Sequence, residues 1–76
     1  MSNRAVELDA RRLLCPLPVI RTQDKIRELV PGDTLVVHCT DPGVLNDIPA
    51  WCRINGHQVV NSETEGREIR ITILIQ

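Results

Sequence analysis

The hydrophobic residues of this chain follow two periods, one typical of strands and one typical of helices. Val6 and Leu8 alternate with acidic residues over 5–9, which predicts a short strand with one buried face. The same period of two recurs over 34–39, 59–64 and 68–75. It is clearest in the last segment, whose isoleucines share one face: Ile69, Ile71, Ile73 and Ile75. The turn between the last two strands is predicted at 65–66.

Two segments between these strands have helical spacing. The first is predicted over 16–30, with a core-facing stripe of Val19, Thr22, Gln23, Ile26, Leu29 and Val30. The second is predicted over 42–55, with a stripe of Val44, Leu45, Ile48, Trp51 and Cys52. Pro31-Gly32 and Asn55-Gly56 end the two helices. Pro49 lies inside the second helix and is expected to kink or split it, because proline has no N–H to donate.

The predicted order is β-α-β-α-β-β over a single domain of residues 1–76. Strands with one apolar and one mostly polar face indicate a sheet that helices cover on one side, which is a two-layer α+β sandwich. If the crossovers are right-handed, the first two strands are parallel and both strand-to-helix turns lie at the same edge of the sheet.

Composition argues against several classes of function. The net charge is −1 and Trp51 is the one aromatic residue, which argues against a direct nucleic-acid surface. Three cysteines without a C-x-x-C pair favour neither a disulfide framework nor a zinc site. No apolar run approaches the roughly 20 residues of a membrane span, and no signal peptide is evident. We therefore expect a reduced, cytoplasmic protein without membrane contact, metal or other cofactor.

Cys15 is the candidate reactive residue. It directly precedes Pro16 and is followed by Pro18 at the predicted start of the first helix. Proline is tolerated in a first helical turn, so Cys15 is predicted to be the cap residue. Its sulfur would then face the positive end of the helix dipole and the free N–H of Leu17. This environment is expected to favour the reactive thiolate. Cys39 and Cys52 lie on apolar faces and are predicted to be core residues.

Other residues near Cys15 have less specific interpretations. Arg11, Arg12 and Arg21 either lower the pKa of the thiol, recognise an acidic partner, or form a plain solvated surface. Leu17 is predicted to point outward, as a docking contact or as a chance exposure. A Cys–His catalytic pair is not expected, because His38 is predicted on the face opposite the helices and His57 at the far end of the sheet.

Several short motifs resemble the TusA/SirA family of small sulfur-carrier proteins over nearly the whole chain, about residues 6–75. They are Leu8-Asp9, Cys15-Pro16-Leu17-Pro18, Pro31-Gly32-Asp33, Asp41-Pro42 and Asp47-Ile48-Pro49-Ala50-Trp51-Cys52. The chain departs from the family at Arg12, where the family usually has glycine. It also has Thr40-Asp41 where many members have two acids. The resemblance implies strand order 1-2-4-3 with the last strand antiparallel to the others.

The resemblance also implies that Cys15 is the catalytic residue of a sulfurtransferase that carries sulfane sulfur as a persulfide. Pro16 and Pro18 would support the motif, and Asp41 joins the arginines and Leu17 as a candidate for partner binding or thiolate stabilisation. Implied partners are a sulfur donor (a cysteine desulfurase or a rhodanese-like protein) and an acceptor sulfurtransferase. The sulfur would serve tRNA thiolation, molybdenum-cofactor assembly or sulfur oxidation. The alternative is a non-catalytic interaction or regulatory module. A thiol–disulfide oxidoreductase is disfavoured, since no second cysteine lies nearby.

Overall fold

The elements follow the predicted order in a computed structural model, which describes residues 3–76. Most boundaries differ from the predicted ones by one or two residues, and the larger differences are in the helices. The bounds are β1 Ala5–Ala10, α1 Leu17–Ile26, β2 Thr34–Cys39, α2 Val44–Asn55, β3 Gln58–Glu65 and β4 Glu68–Leu74.

The four strands form one mixed sheet in the order β1-β2-β4-β3. β1 runs parallel to β2, while β4 is antiparallel to both β2 and β3. The implied strand order is therefore confirmed. Since β1 and β2 are parallel and each is followed by a helix, the loops that lead into α1 and α2 leave the same edge of the sheet. Both loops carry candidate site residues.

The core lies between the helices and one face of the sheet. Residues of β2 alternate between fully buried and half-buried, and β4 repeats the pattern. The same buried cluster takes side chains from both helices, so the two-layer α+β prediction is confirmed. Cys39 and Cys52 are 0% and 1% exposed, as predicted for core residues. The cluster consists of Ala10, Ile26, Leu35, Val37, Cys39, Val44, Ile48, Cys52, Ile69, Ile71, Ile73 and Ile75.

α1 is shorter than the predicted helix at both ends. At its C-terminus the buried carboxylate of Asp33 accepts the N–H of Val30 at 3.0 Å, which removes that amide from the helical pattern. Val30 is 57% exposed, so its predicted place in the core stripe is wrong. Pro18 is buried in the first turn, and Thr22 is buried beside it with its hydroxyl donating to the Pro18 carbonyl at 2.8 Å.

α2 begins two residues later than predicted. Val44 and Leu45 donate their N–H groups to the carbonyls of Asp41 and Pro42, an i→i−3 pattern that precedes the regular helix. Leu45 is 43% exposed, which corrects its predicted place in the core stripe. The helix continues as one element through Pro49, so the proline does not split it. The hairpin turn lies at Gly66 and Arg67, one residue beyond its predicted position.

Candidate functional site

Cys15 lies in the loop between β1 and α1, at the edge of the sheet where the sequence places it. The cap residue of α1 is Pro16 rather than Cys15, which corrects the predicted cap. The reason is local: Leu17 donates its N–H to the carbonyl of Leu14 at 2.9 Å, so this amide is not free for the sulfur. The Cys15–Pro16 peptide bond is cis. Cys15 is half-buried and packs against the edge of the core.

Asp41 joins the two loops of the site. One carboxylate oxygen of Asp41 accepts the N–H of Cys15 at 2.8 Å, and the other accepts the N–H of Gly43 at 3.0 Å. These backbone donors, Cys15 first, lower the pKa of Asp41 below its usual range. The carboxylate is therefore ionised at neutral pH and fixes the backbone of Cys15 against the start of α2.

The sulfur of Cys15 lies against the first turn of α2. A Cβ atom built on Gly43 would be only 3.0 Å from Cys15 Sγ, 3.4 Å from Asp41 Oδ1 and 3.8 Å from Asp47 Oδ2. Gly43 has an ordinary helical φ of −58°, so its backbone conformation does not require glycine. Because glycine has no side chain, it leaves room at this position for Cys15 Sγ and the carboxylates of Asp41 and Asp47.

The electrostatic surroundings of Cys15 are opposite to those predicted. Hydrogen bonding to the Asp47 carboxylate, together with burial and the proximity of Asp41, raises the pKa of the thiol to about 12. Each of these causes disfavours the charged form. Cys15 is therefore a thiol at neutral pH, and the predicted thiolate-stabilising role of Asp41 is wrong in the free protein.

The three candidate arginines are not gathered around the sulfur. Arg11 donates to Asp9 at 2.9 Å and to Glu68 at 3.2 Å. Hydrogen bonds from Arg11 lower the pKa of Asp9 to about 2. Arg12 and Arg21 are exposed, the former in the loop and the latter on α1. The charged groups that act on the pKa of Cys15 are carboxylates, not guanidinium groups.

Arg12 has an unusual backbone conformation. Its φ is +67°, in the left-handed region that glycine adopts readily and other residues rarely do. Its N–H donates to Thr40 Oγ1 at 2.8 Å, which ties this loop to the residue after β2. This positive φ gives a physical reason for the glycine that the resembled family usually has at this position.

An exposed apolar rim lies beside Cys15. Leu14, Leu17 and Ile20 are 72%, 43% and 45% exposed and are spaced three residues apart. The outward position predicted for Leu17 is confirmed. The exposure of Leu14 and Ile20 was not predicted. Ile20 lies three residues from Leu17 within α1, which places these two side chains on a shared side of the helix. We refer to these three residues as the apolar rim.

The histidines lie away from the sulfur, as predicted. His38 bonds through Nε2 to Glu7 at 2.8 Å, and His57 stacks on Trp51 with ring centroids 5.7 Å apart. Among residues 3–76, no three His, Cys, Asp or Glu side chains are arranged to hold a metal ion. Within that same part of the chain, neither helix has the length and apolar character needed to cross a membrane.

Sequence reasoning assigned no role to Asp47 and Gly43. Asp47 belongs to one of the motifs that carry the family resemblance, and its place in the first turn of α2 is the signal that could have put it near Cys15. Nothing in the sequence marks Gly43, because its importance comes from a close approach between two loops.

The protein is a small α+β sandwich. Its one half-exposed thiol, that of Cys15, lies at the carboxyl edge of the parallel strands. The family model described as "Sulfurtransferase TusA" matches residues 6–75. The chain therefore belongs to the TusA family, whose members are sulfur carriers.

Two relatives from Bacillus subtilis (strain 168) are similar to this chain. The "Putative sulfur carrier protein YrkI" is 41% identical over 66 residues, which cover 87% of this chain and 88% of that protein. The "Putative sulfur carrier protein YrkF" is 36% identical over 70 residues, which cover 92% of this chain and only 38% of YrkF. The crystal structure of a SirA-like protein from Desulfitobacterium hafniense has the same fold. Its TM-score is 0.79 at 24% identity, covering 91% of this chain and 95% of that one.

Proposed function

We propose that this protein acts as a single-domain sulfurtransferase over residues 1–76. In this proposal Cys15 accepts sulfane sulfur as a persulfide and relays it to a partner protein. Membership of the TusA family supports this function. The observation that carries it is the placement of the cysteines: Cys15 is half-buried at the sheet edge, whereas Cys39 and Cys52 are fully buried.

The transfer is an exchange at sulfur. The Cys15 sulfur attacks the outer sulfur of the donor persulfide, a new S–S bond forms, and the donor S–S bond breaks. The proton of the Cys15 thiol passes, directly or through water, to the donor thiolate that leaves. The products are the Cys15 persulfide and a donor thiol, so atoms and electrons balance without an external oxidant. Delivery to an acceptor cysteine repeats the exchange in the other direction.

A carrier must keep its cargo until the acceptor binds. A second reactive thiol nearby would attack the persulfide and release sulfide. Burial raises the pKa of both Cys39 and Cys52 to about 11, so both are protonated at neutral pH and enclosed in the core. Neither is placed to discharge Cys15, which fits a carrier better than a thiol–disulfide oxidoreductase.

The partners in this proposal are proteins. The donor is a cysteine desulfurase or a rhodanese-like protein, and the acceptor is a second sulfurtransferase. The apolar rim supports protein docking, because three exposed apolar side chains lie within five residues of Cys15 in the chain, whose sulfur must enter a partner's active site. The acceptor determines whether the sulfur goes to tRNA thiolation, molybdenum-cofactor assembly or sulfur oxidation.

The same rim also favours the second candidate, a non-catalytic interaction module in which Cys15 is incidental. The two functions differ in what the cysteine contributes. A module would keep its activity with serine at position 15, whereas a carrier would lose all transfer.

Persulfide loading tests the carrier function directly. The protein is incubated with a cysteine desulfurase and cysteine, and its intact mass and peptide map are recorded. We expect a gain of one sulfur atom on the peptide that contains Cys15, and no gain in Cys15→Ser. Cys52→Ser is the matched control and should load normally if it folds, which circular dichroism checks. Loading that persists in Cys15→Ser would refute the assignment.

A further inference from the structure

Two consecutive residues directly after β2 bind the backbone of the loop that contains Cys15. The hydroxyl of Thr40 accepts the N–H of Arg12 at 2.8 Å, and the carboxylate of Asp41 accepts the N–H of Cys15 at 2.8 Å. We propose that Thr40 is a positioning residue for sulfur transfer, which fixes the direction in which Cys15 presents its sulfur to the donor protein. This inference rests on the proposed carrier function, because it concerns the same sulfur.

Thr40 is attached to a rigid part of the fold. It directly follows Cys39, which is fully buried and is the last residue of β2. Cys39 pairs with Ala10, the last residue of β1, and Ala10 is also fully buried. The loop to Cys15 therefore leaves one strand end, and Thr40 leaves the end of the neighbouring strand. A hydrogen bond between the two fixes the start of the loop relative to the sheet.

Arg12 has a backbone conformation that a residue with a Cβ does not favour. Its φ of +67° lies in the left-handed region. Such conformations persist where the surrounding structure enforces them, and they are common at functional sites. At Arg12 the structure shows this support as the bond from its N–H to Thr40. Without the hydroxyl, we expect Arg12 to relax towards a negative φ and to redirect the chain that leads to Cys15, three residues further on.

The other contacts around the sulfur do not depend on the Thr40 hydroxyl. Asp41 still accepts the N–H of Cys15, and Pro18 is buried in the first turn of α1. Leu13, between the two bonded amides, packs against the core. These contacts keep Cys15 at the edge of the sheet. Loss of the Thr40 bond should therefore change the direction of the sulfur rather than its exposure.

The direction of the sulfur matters because the exchange takes place in line. The attacking sulfur approaches along the axis of the donor S–S bond, and a docked donor protein holds that axis in one orientation. A misplacement of about 1 Å can lower the rate of an oriented reaction about 100-fold. A small electrophile such as iodoacetamide is free to turn towards the sulfur, so its reaction should depend much less on direction.

Thr40→Val tests this role, because it removes the hydroxyl and nearly preserves the shape of the side chain. Single-turnover loading by a cysteine desulfurase and cysteine is followed as the mass gain on the Cys15 peptide, over a range of desulfurase concentrations. We expect the saturating rate to fall about tenfold, with an unchanged half-saturating concentration. Alkylation of Cys15 by iodoacetamide should proceed at the wild-type rate. In that reaction a C–S bond forms, the C–I bond breaks, iodide leaves and the thiol proton goes to solvent.

Two variants separate the hydrogen bond from a general effect of the substitution. Thr40→Ser keeps a hydroxyl that can accept the N–H of Arg12 and should load at close to the wild-type rate. Thr72→Val makes the same chemical change at a half-buried position of β4, whose neighbours Ile71 and Ile73 face the core, and should leave loading unaltered. Circular dichroism checks that each variant is folded. If Thr40→Val is not native, Thr40→Ala takes its place, since it also lacks the hydroxyl.

Several results would overturn the inference. One is a saturating rate for folded Thr40→Val that equals that of the wild type. Another is a loss that Thr40→Ser shares or that Thr72→Val reproduces. Equal falls in loading and alkylation would show that the sulfur is occluded, and a rise in the half-saturating concentration alone would make Thr40 a docking contact. Failure of the wild-type chain to load at all would instead refute the proposed function, and the inference with it.

Discussion

Replacing Arg12 by glycine should stabilise the protein, although it removes a charged side chain near the candidate site. Arg12 has a φ of +67°, and its side chain is exposed. Its one hydrogen bond in the described structure uses the backbone N–H, which donates to Thr40 Oγ1 at 2.8 Å. Glycine keeps this N–H and removes the Cβ that makes the left-handed conformation unfavourable.

The expected magnitude is the difference between two terms. Holding a residue other than glycine in the left-handed region costs about 1–2 kcal/mol. Glycine increases the conformational freedom of the unfolded chain, which opposes folding by about 0.5–1 kcal/mol. At the midpoints of the two ranges, the net gain in the free energy of unfolding for Arg12→Gly is about 0.7 kcal/mol. In a domain of this size it corresponds to a rise in Tm of roughly 3–6 °C.

Thermal and urea unfolding followed by circular dichroism measure this gain. Arg12→Ala is the matched control, because alanine removes the same charge and keeps the Cβ. We expect the order of stability to be glycine above arginine, with alanine no more stable than arginine. If the alanine and glycine variants have equal stability, the effect comes from the side chain and the argument from backbone strain is refuted.

Three further predictions concern the core and the titrating groups. Leu35→Ala, at a fully buried position of β2, should lower the free energy of unfolding by about 3 kcal/mol in urea titrations. An effect below that of an exposed leucine such as Leu14→Ala would contradict the assigned core. N–H groups of Arg4 and Val30 lower the pKa of Asp33, so its contribution to stability is present at neutral pH and is lost as the pH falls through that lowered value. Asp33→Asn should therefore have a lower Tm than the wild type at pH 7, with a smaller difference in acid. The pKa of about 12 for Cys15 means that its alkylation rate should keep rising through pH 10, and a plateau near pH 8 would contradict it.

The fold could be predicted from the sequence because its signals are local. The alternation in β4 and the proline and glycine residues at the helix ends indicate elements whatever their neighbours, and strand order followed from the family resemblance. The ends of the helices were predicted less accurately than their positions in the chain. In the last turn of the first predicted helix, Glu28 and Leu29 bond i→i−3 instead of i→i−4, and the amide of Val30 bonds to the side chain of Asp33, which lies outside the helix.

The sequence predicted where the candidate site lies but not the ionisation state of its cysteine. Cys15 and Asp41 were placed at one edge from the order of elements alone, since parallel strands bring their carboxyl ends together. The ionisation of Cys15 was predicted in the wrong direction. A helix dipole was inferred from the chain around Cys15, whereas the largest cause of its raised pKa is hydrogen bonding to Asp47, which lies on a different helix. Contacts between residues so far apart in the chain are set by packing, which a single sequence does not display.

The bond between Asp41 and the backbone of Cys15 spans 26 residues of sequence. It joins two loops that leave adjacent parallel strands, so it belongs to the folded chain. In a nascent or heat-denatured chain the sulfur is an ordinary cysteine, open to peroxide and to mixed disulfides. We therefore expect oxidation at position 15 to be faster in the unfolded chain than in the folded one, because the raised pKa of the Cys15 thiol is a property of the native structure.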